Sequence, residues 1–235
     1  MTLLDLLPSL GHPAPLLRAG ARLHAPAGVA DESDFRDRAR RWRKTLRGAR
    51  VVYFGRSPLT TEVARRASEE GLGIGVRSAG ELAVALAAGA DPARIVAHPG
   101  SPDMLRDAVG VGVGRIVLDS PVAAPHVAGP RRRGPARPTF DLVGLHCRLD
   151  SAAPGTSYGE AIRRTIAAMA DVRARHGLIL TEVHVGGDQA RPYVAGDWEL
   201  GLDELAAVIE EALDEACAAE RFPRPVVAVG VTLTE

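Results

Sequence analysis

The residues with the most chemical potential stand directly after short apolar runs: Gly55-Arg56-Ser57, Arg77-Ser78, His98-Pro99-Gly100, Asp119-Ser120, His146-Cys147-Arg148 and Gly186-Gly187-Asp188. If each run is a parallel strand, Arg56, Arg77 and Arg148 could meet on one rim and clamp a carboxylate or phosphate. Pairing of each with a local acid, or exposure to solvent, is the plainer alternative. Gly186-Gly187 could cradle an anion with unhindered backbone N–H groups, or could simply turn the chain, and Asp188 beside them would repel a phosphate. His98, His146 and His184 invite a metal, but carboxylate ligands at helical spacing are missing and His184 is expected to point away from the Gly turn. No metal site is expected. Ser57, Ser78 and Ser151 have no His and Asp partners in order, and the GxSxG elbow is absent. The basic residues comprise 28 arginines and one lysine, Lys44. A guanidinium stays protonated and is a poor nucleophile, so any amine chemistry must use Lys44.

The elements that would hold these residues alternate. Asp31 or Ser33 can cap a helix over 34–46, with Phe35, Ala39, Trp42 and Leu46 on one face. A strand at 51–54 follows, then a helix at 61–70, a strand at 74–76, and a helix at 81–88 capped by Ser78. A strand at 94–97, a helix at 102–109 and a strand at 115–118 complete the first half. The pattern lapses over 121–138, which carries Arg131-Arg132-Arg133 among prolines and glycines. It resumes with strands at 142–147, 181–185 and 226–233, separated by helices at 158–176 and 202–219. About seven strands joined by helices predict a parallel sheet covered by helices, in which ligands sit at the carboxyl ends of the strands. Residues 1–30 read as an irregular lead-in and residues 31–235 as one barrel domain.

The chain has 235 residues, enough for one substantial core, and 29 basic against 29 acidic residues. Neutral charge argues against a nucleic-acid partner, and 4% aromatic content offers no stacking platform for bases. Two cysteines are too few for a disulfide framework. No apolar run reaches the ~18 residues that span a bilayer, and the amino terminus lacks a secretory pattern. A cytoplasmic location without membrane contact is the expectation.

Several stretches resemble the fold-type III pyridoxal-phosphate decarboxylases, the diaminopimelate and ornithine decarboxylase group with its alanine-racemase-type barrel. The most specific is Gly71-Leu72-Gly73-Ile74-Gly75-Val76-Arg77-Ser78-Ala79-Gly80-Glu81-Leu82, continuing from Ala87 to Val96. Val113–Ser120 is similar to the strand that follows in that family. Gly144-Leu145-His146-Cys147-Arg148 resembles a Gly-Leu-His-x-His strand, and Val185-Gly186-Gly187-Asp188 a Gly-Gly-Gly phosphate turn. The likeness runs from about His24 to the end. It implies a TIM-type α/β barrel, here incomplete with about seven strands.

The resemblance also implies pyridoxal 5′-phosphate and an amino-acid decarboxylase (lyase), but the positions behind that chemistry differ. The family's first strand ends Tyr-Ala-x-Lys, where the lysine forms the Schiff base; here it reads Tyr53-Phe54-Gly55-Arg56. Arg148 stands for the ring-stacking second histidine and Asp188 for the third glycine. The Glu-Pro-Gly-Arg motif is not recognisable around Arg221–Pro225, while Glu81 is retained. The Arg-x-Asn-Pro strand is missing from the short interval between Asp119 and Gly144, and the family's C-terminal β-domain has no counterpart before Glu235. The expectation is a degenerate barrel, a pseudoenzyme with no catalytic residue, acting as a binding or partner subunit. An active pyridoxal-phosphate enzyme is the alternative. Any cofactor would be held non-covalently, with Arg56, Ser78, His146, Arg148, Gly186 and Gly187 as the candidate rim for it or for another small anion. The expected partner is a second copy, or a related enzyme in a hetero-complex.

Overall fold

The computed structural model describes residues 32–55, 59–118, 141–147, 158–186 and 202–233. Arg56, Arg148 and Gly187, the expected lead-in over 1–30, and the segment over 121–138 lie outside these residues.

Elements follow the expected alternation. They are α1 (Glu32–Thr45), β1 (Arg50–Tyr53), α2 (Thr61–Glu69), β2 (Gly73–Val76), α3 (Ala79–Ala87), β3 (Ile95–Ala97) and α4 (Pro102–Val111), then β4 (Arg115–Ile116), β5 (Gly144–Cys147), α5 (Tyr158–His176), β6 (Glu182–Val185), α6 (Leu202–Ala219) and β7 (Val226–Val231). Helix starts are set by side-chain oxygens that accept otherwise orphaned N–H groups: Thr60 accepts from Val63, Ser78 from Glu81 and Ser101 from Met104. Ser33 does not cap α1 but lies inside its first turn; Asp31 is outside the described residues. Glu32 and Asp34 in that turn favour the helix N-terminus electrostatically.

The seven strands form one parallel sheet in the order β4-β3-β2-β1-β7-β6-β5. It curls into an incomplete TIM-type barrel. Side chains alternate between its two faces. Val51, Tyr53, Ile74, Val76, Ile95, Ala97, Val183, Val185 and Val229 face outward and bury against helix residues such as Phe35, Leu82, Met104, Ile162 and Ile209. Their neighbours in sequence, Val52, Phe54, Val96 and Ala228, form a separate small cluster inside the curl, joined by Val117. Strands β1, β3 and β7 are therefore apolar on both faces, which is why they read as continuous apolar runs.

Helices α1 and α2 are tied by arginine. Arg36 pairs with Glu32, Glu69 and Glu70 at 2.9, 2.6 and 3.0 Å, and Arg40 pairs with Glu70 at 2.9 Å. Arg43 donates to the Glu70 carbonyl at 2.8 Å. Lys44 occupies the exposed last turn of α1, just before the amino end of β1.

Candidate functional site

The inward positions of the sheet make two chemically different layers. At the amino ends of the strands, Glu182 is buried (4% exposed) and lies between two guanidiniums. Arg115 donates through Nε to its Oε2 at 2.6 Å, and Arg50 Nη2 lies 2.9 Å from Oε1. Two residues along β6, His184 Nε2 is 3.3 Å from Glu182 Oε2. An ionised carboxylate only accepts, so Nε2 carries the proton of that contact. Burial raises the Glu182 pKa. Hydrogen bonds from Arg115 and His184 and the charges of Arg115 and Arg50 outweigh it, and the net result falls to about 2. Burial also holds His184 below its ordinary value, against the opposing pull of Glu182. This layer is an ion cluster; sequence spacing gave no sign of it beyond charges at the first positions of three short strands.

At the carboxyl ends the interior is aromatic. The Phe54 ring meets His98 edge-on at 5.2 Å between centroids, and His98 meets His146 edge-on at 5.0 Å. A Cβ on Gly75, the inward residue of the neighbouring strand, would overlap the Phe54 ring, so only glycine leaves that ring its place. His184 points inward with Gly186, contrary to the orientation expected from sequence, and lines one cavity with Val52, Phe54, His98, His146 and Gly230. That cavity encloses about 10 Å³, room for about one water molecule. A cavity of about 150 Å³ lies elsewhere, beside the amino ends of β2 and β3 among Leu72, Asp91 and Arg94.

The expected rim residues are used as follows. Ser78 is the N-cap of α3, accepting from Glu81 N at 3.1 Å, while Glu81 Oε2 accepts from Arg77 N at 2.7 Å. The two side chains form a capping box in all but one register position, which accounts for both residues without a ligand. Arg77 Nη2 donates to the Gly55 carbonyl at 2.6 Å, which ties the end of β1 to the end of β2. Its expected companions Arg56 and Arg148 lie outside the described residues, as does Gly187. Gly186 turns with φ +86°, a conformation glycine adopts freely. Among the described residues no group of three or more His, Cys, Asp or Glu is placed to hold a metal ion, and no helix is long and apolar enough to cross a membrane.

The family described as pyridoxal-dependent decarboxylase, pyridoxal binding domain, matches residues 32–129. The chain is 30% identical to a diaminopimelate decarboxylase of Actinosynnema pretiosum subsp. auranticum over 96% of its own length and 67% of that protein. It belongs to the pyridoxal-dependent decarboxylase family. A diaminopimelate decarboxylase of Mycobacterium tuberculosis is 44% identical over 109 residues, 45% of this chain and 24% of that protein. The fold matches diaminopimelate decarboxylase from M. jannaschii, solved with L-lysine, with a TM-score of 0.65 at 12% identity, covering 93% of this chain and 63% of that one. The chain thus spans between about a quarter and two thirds of the length of these decarboxylases.

Below the strand ends the described interior is filled. With Phe54 and His98 in place, the space between the strand ends holds about one water, far less than a pyridine ring. The chain's one lysine lies on the last turn of α1, at the amino end of β1 and away from this mouth. Phe54 was not singled out from the sequence as a site residue. Its parity with Val52, and the alanine at its position in the family pattern, are the signals that point to it.

Proposed function

We propose that this chain is a decarboxylase-family barrel that does no Schiff-base chemistry and serves as a binding or partner subunit. The observation that carries this reading is the placement of amines. Position 56, where the family pattern carries its lysine, is arginine, and the only lysine is Lys44, on the helix that precedes the first strand. Without an amine at the mouth no covalent link to pyridoxal phosphate forms there, and decarboxylation loses its electron sink. The filled aromatic layer supports the same reading. Arg56, Arg77 and Arg148, in the segments that follow apolar runs of the sequence, suit a small anionic ligand, and pyridoxal phosphate, if bound, is held non-covalently. The proposed assembly is a homo-oligomer, or a hetero-complex with a related decarboxylase, in the cytoplasm.

Family membership favours one other reading, an active pyridoxal-phosphate decarboxylase. The two separate on adding pyridoxal 5′-phosphate to the purified chain, reading the visible absorbance of an aldimine and trapping it with borohydride. No stoichiometric reducible adduct is expected. A stoichiometric adduct that disappears in Lys44→Ala would overturn the proposal.

A further inference from the structure

The aromatic layer has a specific consequence for what the barrel admits. Phe54 is 5% exposed. Its ring lies over Gly75 on β2, where no larger residue leaves it space, and against His98 beyond the end of β3. His98 continues the ladder by donating its backbone N–H to the Val76 carbonyl at 2.8 Å, which fixes its own position. From there its ring reaches His146 on β5, at the far edge of the sheet order. Three rings thus run from β1 across the interior to β5, over a floor of Val52, Val96 and Ala228.

We infer that Phe54 is the residue that determines what enters this barrel: its ring occupies the volume a flat, ring-sized ligand would take, and its removal creates a site for such a ligand. The inference deepens the proposed function and rests on it for the choice of the strand carboxyl ends as the ligand side. Gly75 is the other half of the device, because its missing side chain is what leaves the ring its place against β2. The vacated space would be lined by Val52 and Ala228 together with the imidazole rings of His98, His146 and His184, ring edges and faces against which a flat ring packs favourably, so it is expected to bind one.

The test compares the full chain with Phe54→Ala, using benzene as the probe and thermal unfolding as the readout. Benzene should leave the wild-type melting temperature unchanged and raise that of Phe54→Ala by about 3–6 °C, the shift that roughly a tenfold excess over its dissociation constant produces in a chain of this size. An equal rise in both proteins means the interior is already open; no rise in a folded Phe54→Ala means the ring fills nothing. Either result overturns the inference. Should Phe54→Ala not fold, Phe54→Leu is read by NMR at the imidazole Hε1 of His98. Loss of the neighbouring ring current should move that signal while exposed His176 stays fixed, and an unmoved His98 signal overturns the inference. These readouts do not involve an aldimine, so a borohydride-trapped adduct would sink the proposed function and leave the role of Phe54 to its own test.

Discussion

Arg115 on β4 donates to the carboxylate of Glu182 on β6 although four strands, β3, β2, β1 and β7, lie between them in the sheet. A flat sheet would hold these residues about 24 Å apart, five strand spacings of about 4.8 Å. Their contact is direct proof of how tightly the sheet curls, and it draws one edge of the sheet towards the other through charge.

Glu182→Gln should therefore be costly. Removing the charge leaves Arg115 and the half-exposed Arg50 without their counter-ion; solvent around the two guanidiniums cuts the cost of breaking a fully buried pair to about 1–3 kcal/mol. Urea unfolding should show a midpoint shift of that size. A double-mutant cycle with Arg115→Gln should give a coupling well above the few tenths of a kcal/mol typical of independent sites.

Acid should weaken the fold in a defined window. The Glu182 pKa is depressed in the folded state, to about 2 from 4.5, so the unfolded chain binds the proton more readily. Its contribution is present above pH 4.5 and is lost as pH falls from there through 2. His184 is also depressed when folded, by burial. It acts in the same direction, with its loss beginning as pH falls below its ordinary value near 6.5. Stability measured by denaturant titration should fall on acidification, and Glu182→Gln should flatten the portion below pH 4.5.

Ser78→Ala separates a cap from a ligand contact. If the hydroxyl serves only α3, the variant loses about 1 kcal/mol of stability, and its affinity for inorganic phosphate, measured by calorimetry, equals that of the wild type. A tenfold or larger loss of phosphate affinity would return Ser78 to the ligand rim.

Gly75→Ala tests the close approach of the Phe54 ring. One methyl group there overlaps the ring and should destabilise by about 1–3 kcal/mol. Adding Phe54→Ala should make the double variant more stable than the sum of the two single losses predicts, whereas strict additivity would place the ring elsewhere.

The alternation of elements was legible because its local determinants are strong. Gly71, Gly89 and Gly112 end helices with positive φ, Ser78 and Ser101 open them, and the strands between are short apolar runs. The interior was less legible for a physical reason. In a strand buried on both faces, Tyr53 and Phe54 read alike, yet one packs on Phe35 beneath a helix and the other fills the barrel. The Arg115–Glu182 bond joins residues 67 apart in sequence, a separation at which no local pattern operates. Ser78 shows the converse: the sequence marks it both as a cap and as a rim residue, and only its hydrogen bond to Glu81 N weighs one use above the other.

The arginine bias of the chain leaves Lys44 as its only side-chain amine, and Lys44 sits exposed at the end of α1. Acylation, amine-directed cross-linking and cleavage after lysine all converge on this one surface point. A dye coupled there after the terminal amine has been blocked near neutral pH, where that amine reacts first, would report from the side of the barrel opposite its mouth, giving a fixed origin for distance measurements to any partner.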